Sequence, residues 1–234
     1  MGVWVERLEC SNLGNLLPVL TKLWFKGVSE YLEDLVARIN APLLDSLVIT
    51  IYNQLILDTP QLTQLISRSS RFKAREARVI FNEREAWVTL PQTGNGALDM
   101  EISCRQTDWQ LSSLAQICSS SFPRTLIPAV EHLYIHRGAW PPDWQDDIEI
   151  SQWLELLHPF TAVKDLYISE GLIPHIAPAL KELVGERVSE VLPALQTLFL
   201  PETLLEPVQE AIGQFIAARQ IAGQPITTSH WDGR

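Results

Sequence analysis

The stretches Val130-Glu-His-Leu133-Tyr-Ile135 and Val163-Lys-Asp-Leu166-Tyr-Ile168 share one pattern: an apolar residue, two variable residues, leucine, one variable residue and a further apolar residue. The alternation at the end of this pattern is typical of a β-strand with one buried face. Proline, which cannot donate a ladder hydrogen bond, often stands two residues upstream and favours entry into a strand. Further clear copies lie at residues 20–25, 44–49 and 195–200, with a partial copy at 5–10.

Weaker copies around Ala77 and Ile102 fill the middle of the chain. The central positions are then 23, 47, 77, 102, 133, 166 and 198, so successive spacings run from 24 to 33 residues. Apolar stripes of helical period lie between the copies, with Pro60 at one helix start and Asp108 and Ser151 as candidate caps. The alternation predicts an α/β, leucine-rich-repeat-like solenoid with parallel strands on one side and helices on the other.

The predicted organisation is a single repeat domain over residues 1–220, followed by a C-terminal tail over 221–234 that contains His230. Two segments break the repeat, near 85–98 and 137–149. The first contains Asn95-Gly96, a pair that favours a tight turn and an added hairpin. The alternative is a non-repeating α/β domain in which the leucine spacing is coincidental.

Composition excludes several functional classes. Hydrophobic residues make up 46% and charged residues 20% of 234, which is typical of a globular chain with a substantial core. The net charge of -10 disfavours binding to nucleic acid, because an acidic surface repels phosphates. No signal sequence or membrane-length apolar run is found, and three cysteines without a CxxC motif favour a reducing compartment. We therefore expect a cytoplasmic or nuclear protein that does not bind membranes.

Motifs of catalysis and of cofactor binding are missing from the sequence. Gly94-Asn95-Gly96 begins a dinucleotide motif, but Asp99 stands where its third glycine belongs. His132 and His136 share a predicted strand, where a spacing of four separates them by roughly 13 Å. Cys118 is interpreted as a core residue. We therefore predict no catalytic residue, cofactor or metal site, and a protein that is not an enzyme.

Protein binding is the remaining class of function. Variable strand positions would face a partner on the surface of a parallel array, and we expect contacts from Lys22, Trp24, Lys26, Tyr134, Tyr167 and Phe199. Trp140 and Trp144 lie in an acidic loop and either cover the core beneath it or form part of the partner surface, since exposed tryptophan is favoured at binding hot spots.

Most of the chain resembles the carboxyl-terminal, leucine-rich-repeat-like region of fungal F-box-type proteins. The resemblance is carried by GVSEYLEDLV (27–36), PLLDSL (42–47), DTPQL (58–62), WQLSSL (109–114), WLELLHPF (153–160) and FIAARQ (215–220). It implies substrate recognition for a cullin-type ubiquitin ligase through a Skp-type adaptor, and no catalytic residue. The adaptor-binding F-box itself is normally upstream of this region, and we do not identify it in this chain.

Alternative functions remain open from the sequence alone. One is a stand-alone scaffold or a ligand-sensor repeat domain. Another is an enzyme of unrecognised type with a cleft near the acidic loop, which would require residues such as His132, His136 and the loop acids to converge. Those acids are Asp143, Asp146 and Asp147.

Overall fold

A computed structural model describes residues 2–5, 19–52, 57–92, 96–139 and 149–231. In this part of the chain ten strands form one sheet, and six α-helices accompany it. The strands are β1 (Gly2–Val5), β2 (Lys22–Gly27), β3 (Ser46–Tyr52), β4 (Glu76–Phe81), β5 (Glu85–Pro91), β6 (Ala97–Ser103), β7 (His132–Arg137), β8 (Asp165–Ile168), β9 (Thr197–Leu200) and β10 (Thr227–His230). The helices are α1 (Ser29–Val36), α2 (Pro60–Arg68), α3 (Thr107–Gln116), α4 (Ile150–Leu157), α5 (Ile173–Lys181) and α6 (Glu206–Ile221).

The sheet is mostly parallel, as the sequence predicts for an α/β chain. Its strand order is β1-β2-β3-β6-β5-β4-β7-β8-β9-β10, and only β5 among these strands runs antiparallel to its neighbours. The predicted hairpin near 85–98 is therefore present, formed by β5 and β6. It changes the order in the middle of the sheet, because β4, β5 and β6 form an antiparallel meander that places β6 beside β3. Simple stacking in chain order is not followed there.

One face of the sheet carries the core. Alternate residues in β2 to β9 are buried, except at the strand ends Gly27 and Arg137. In-register leucines such as Leu23, Leu47 and Leu98 are at most 1% exposed. The buried faces of all six helices belong to the same apolar cluster. Parallel strands with helices on one side therefore form a two-layer domain. We call the opposite side, on which none of these six helices packs, the outer face of the sheet.

Helix starts are set by contacts that the sequence does not reveal. Asp108 and Ser151, the predicted helix caps, instead lie inside helices that begin at Thr107 and Ile150, and neither helix has a side-chain cap. At α2, the carboxylate of Glu33 in α1 accepts hydrogen bonds from the backbone N–H groups of Gln61 and Leu62, at 2.8 and 2.9 Å. A carboxylate from a neighbouring helix thus satisfies two donors that the first turn leaves without partners.

Gly96 lies at the entry to β6, where two backbone segments approach each other closely. A Cβ atom at this position would overlap the backbone carbonyl oxygen of Asp45, which cannot move aside as a flexible side chain would. We expect Gly96→Ala to lower the free energy of unfolding by about 2 kcal/mol, measured by urea denaturation. In the control, Gly213→Ala in α6, the added methyl meets no atom within 4 Å. This variant should be stabilised by about 0.5–1 kcal/mol, because alanine replaces glycine in a helix. Equal stability of the two variants would contradict the close approach.

The end of the chain differs from the predicted tail. Residues Thr227–His230, within the expected tail of 221–234, form β10 and pair in parallel with β9. Gly223 has a φ of +74° and ends α6, and Pro225 stands two residues before β10. In the repeat copies the proline stands four residues before the strand, as Pro193 does before β9, so Pro225 does not repeat that spacing. Pairing with β9 nevertheless makes β10 a further parallel strand, although its side chains are polar.

Candidate functional site

The outer face contains the strand residues that the sequence analysis selected for partner binding. Residues that alternate with the buried ones point to this side, and the set comprises Lys22, Trp24, Lys26, Tyr134, Tyr167 and Phe199. Trp140 and Trp144 lie outside the described residues, as do Asp143, Asp146 and Asp147. The alternation of the strand pattern thus placed six predicted residues on one side of the sheet.

Tyr134, Tyr167 and Phe199 stand side by side on the outer face and form what we call the aromatic ladder. They occupy directly paired positions in β7, β8 and β9. Their ring centroids are 4.2 Å apart between the tyrosines and 4.1 Å apart between Tyr167 and Phe199, with 12° between ring planes in both pairs. Parallel in-register pairing places equivalent repeat positions next to each other, so a repeated aromatic residue becomes a continuous stack.

Charged residues close one end of the ladder. The guanidinium carbon of Arg78 in β4 lies 5.7 Å from the ring centroid of Tyr134, within cation–π range. Its Nε donates to Glu76 Oε1 at 2.6 Å, on the same side of β4. Tyr167, in the middle of the stack, has its pKa raised to about 12, first by burial and then by the neighbouring tyrosine and carboxylates. The ladder is therefore a partly desolvated aromatic surface with an ion pair at its edge.

Trp231 contacts the ladder from the end of the chain. Its ring centroid lies 5.5 Å from that of Tyr167, 6.1 Å from that of Tyr134 and 5.1 Å from that of His136, and all three contacts are edge-to-face. Trp231 was not predicted from the sequence, because its segment was expected to form a tail. The one signal in the sequence is Pro225 shortly before β10, since proline favours entry into a strand.

Lys22, Trp24 and Lys26 form a second group, separate from the ladder. They lie in β2, five strand positions from β7, which corresponds to roughly 24 Å at about 4.8 Å per strand. The meander of β4, β5 and β6 occupies most of this distance. The predicted binding residues therefore share a face without forming one cluster.

Two carboxyl groups lie between these groups, on β6. Burial raises the pKa of Asp99, which is opposed by a hydrogen bond from Thr89. Burial also raises the pKa of Glu101, with a contribution from the negative charge of Glu85, while Lys26 opposes the shift. The centre of the outer face is thus acidic and partly desolvated.

His136 makes the stability of the outer face depend on pH. Its pKa is lowered, first by burial and second by the positive charge of Arg78, with Glu76 opposing. The unfolded chain then binds the proton more readily than the folded protein. We expect the free energy of unfolding to fall as pH decreases through about 6.5, the ordinary histidine value. Asp99 and Glu101 act in the opposite direction at lower pH, because their raised pKa values favour protonation of the folded state.

Urea denaturation between pH 5.5 and 7.5 tests this expectation. His136→Gln, which keeps a polar side chain of similar reach, should flatten the pH dependence over this range. His158→Gln, at an exposed histidine that follows α4, is the control. An unchanged slope in the His136 variant would contradict the assignment.

The reactive side chains in the described residues include one histidine–carboxylate pair and two cysteines. His132 Nδ1 lies 2.9 Å from Asp165 Oδ2, but no group of three or more metal-ligating residues occurs in the described part of the chain. Cys104 and Cys118 are free thiols and buried, and burial raises the pKa of Cys118. A thiol with a raised pKa is a poor nucleophile, which agrees with the interpretation of Cys118 as a core residue.

Within the described ranges, no helix has both the length and the apolar character that a membrane span requires. Comparison with known proteins found no matching family model, no similar curated protein and no similar solved structure.

Proposed function

We propose that this protein is a protein-binding module without catalytic activity, and that it holds its partner on the outer face of the sheet. The observation that carries the proposal is the aromatic ladder, a stack of three rings on a face against which no described helix packs. Aromatic side chains are enriched where proteins bind each other, because they present a large rigid surface at low entropic cost.

The width of the outer face supports a macromolecular partner. Ten strands at about 4.8 Å spacing extend over roughly 43 Å, which is ample for the ~800 Å² that each partner contributes to a stable interface. A small molecule, by contrast, is usually held in a concave and mostly apolar pocket. The broad ladder is better suited to an extended segment or a protein surface.

A more specific role follows from the resemblance to the repeat region of fungal F-box-type proteins. We propose that the domain is a leucine-rich-repeat-like solenoid, interrupted by the meander, that reads substrates in the manner of F-box-type proteins in the cytoplasm or nucleus. Its partners would then include proteins destined for ubiquitination, with a Skp-type adaptor and a cullin if an F-box is joined upstream. The repeated strand pattern and the predominantly parallel sheet support this proposal.

Affinity purification from a lysate of the host tests both the proposed protein binding at the outer face and the proposed role in a ubiquitin ligase. The wild-type chain is compared with a Tyr134→Ala, Tyr167→Ala double variant, and with Tyr31→Ala as a matched control, because Tyr31 is an exposed tyrosine on α1. We expect proteins retained by the wild type and the control to drop at least about tenfold in the double variant, as loss of two hot-spot residues predicts. Equal retention by the folded double variant would contradict binding at the ladder. Recovery of a Skp-type adaptor and a cullin is the result expected for the ligase role.

A further inference from the structure

Trp231 reaches the ladder from the edge of the sheet. Its backbone N–H donates to the carbonyl oxygen of Leu200 at 2.9 Å, which continues the pairing of β10 with β9. The indole nevertheless contacts rings in β8 and β7, the third and fourth strands counted from that edge. The side chain therefore lies across the outer face, over the residues to which the proposed function assigns the partner.

The geometry shows what kind of group the ladder accepts. Both faces of the Tyr167 ring are occupied by its stacked neighbours Tyr134 and Phe199, so the indole meets the edge of that ring. The angles of 62° to Tyr134 and 74° to Tyr167 are those of edge-to-face contacts. A row of ring edges carries partial positive charge and attracts the negative face of a flat aromatic group.

We propose that the aromatic ladder is a binding site for a planar aromatic side chain on a partner segment, and that Trp231 is the intramolecular occupant which the partner displaces. This inference rests on the proposed function, since it names the group by which a partner would engage the outer face. The bound partner would present a tryptophan-like residue in place of the indole of Trp231.

Displacement is feasible because β10 is held to β9 by backbone pairing and not by its own side chains, so the indole can leave the ladder while the strand stays paired. All four side chains of β10 are exposed, and Trp231 itself is partly exposed. Segments with few buried apolar contacts open at low free-energy cost. The indole of Trp231 covers the ladder in part of the population, so only the remaining molecules can bind a competing aromatic group. The apparent affinity for that group is then the intrinsic affinity multiplied by the fraction of molecules whose ladder is uncovered.

The test uses N-acetyl-L-tryptophanamide as the probe and the full chain with isotope-labelled tyrosine rings, observed by NMR. The chain has four tyrosines, so Tyr31 and Tyr52 serve as internal references for Tyr134 and Tyr167. In Trp231→Ala, we expect the two ladder signals to shift with half-saturation at a probe concentration at least about fivefold lower than in the wild type. Trp24→Ala, which removes a tryptophan from the distant group on the same face, should behave like the wild type. N-acetyl-L-alaninamide should shift neither signal.

Two outcomes would overturn the inference. If the probe shifts the ladder signals equally in the wild type and in Trp231→Ala, then Trp231 is not a competing occupant. If the probe leaves Tyr134 and Tyr167 unmoved in a folded Trp231→Ala chain, then the ladder does not accept a planar aromatic group. Neither outcome depends on capture of a partner from lysate, so this inference and the proposed function can fail separately.

Discussion

Arg219→Met is expected to lower the free energy of unfolding by about 3 kcal/mol. The guanidinium of Arg219 in α6 is fully buried and donates to four backbone carbonyl oxygens in the segment before β9. These acceptors are Val188 at 3.0 Å, Leu192 at 3.3 Å, Pro193 at 3.5 Å and Leu195 at 3.1 Å. Methionine fills similar volume but removes these donors, and each buried carbonyl then left without a partner costs about 1 kcal/mol or more before relaxation.

The backbone nature of the acceptors makes this site different from a buried ion pair. Replacing both members of an ion pair with apolar residues is often tolerated, because neither charge remains. Here the acceptors are main-chain carbonyls that no substitution removes, and they surround Leu192, whose φ is +52°. Arg219 therefore fixes a strained connection between α5 and β9. Burial lowers the pKa of the guanidinium, yet it stays charged at neutral pH.

Urea denaturation, monitored by circular dichroism, measures the loss of unfolding free energy in Arg219→Met. Arg219→Lys should be destabilised as well, because a single ammonium group lacks the planar fork that reaches four acceptors. The matched control is Arg187→Met, which removes an exposed arginine 3.5 Å from Glu190 and should change stability by less than about 1 kcal/mol. A loss at Arg219 no larger than that of the control would contradict a structural role for its hydrogen bonds.

The sequence predicts local features of the fold well and the long-range ones poorly. The alternation around Leu133 and Leu166 predicted β7 and β8 because it depends only on which side of a strand is buried. The order of β3, β6, β5 and β4 depends on which edges meet after the meander forms, and no local pattern encodes that choice. The cap that Glu33 provides for α2 is likewise a contact between helices, invisible to a search for Ser, Thr, Asp or Asn at the helix start.

The same division applies to the candidate site. Tyr134, Tyr167 and Phe199 were predictable, because they occupy the same position in three copies of one repeat. Their separation from Lys22, Trp24 and Lys26 was not, because it follows from the three strands of the meander. Trp231 escaped prediction since its strand consists of Thr-Thr-Ser-His, without the apolar alternation that marks the others.

Trp153→Ala is expected to cost about 3–5 kcal/mol, the range for removing a large aromatic side chain from a core. Trp153 in α4 is 1% exposed, and its ring lies 5.7 Å from that of Phe81 in an edge-to-face contact. Phe81 ends β4, so this contact ties α4 to the strand that the meander brought next to β7. Trp153→Phe, which keeps an aromatic ring, should recover more than half of the loss.

The decisive comparison is with Trp24→Ala on the outer face. Trp24 is only half-buried and lies on the side without described helices, so its removal should cost about 1 kcal/mol or less. Denaturation of both variants then separates the tryptophan that holds the two layers together from one on the outer face. Similar losses at the two positions would mean that the outer face is packed as tightly as the core, and binding there would lose its physical basis. A large loss at Trp153 alone is what a two-layer domain with one free face requires.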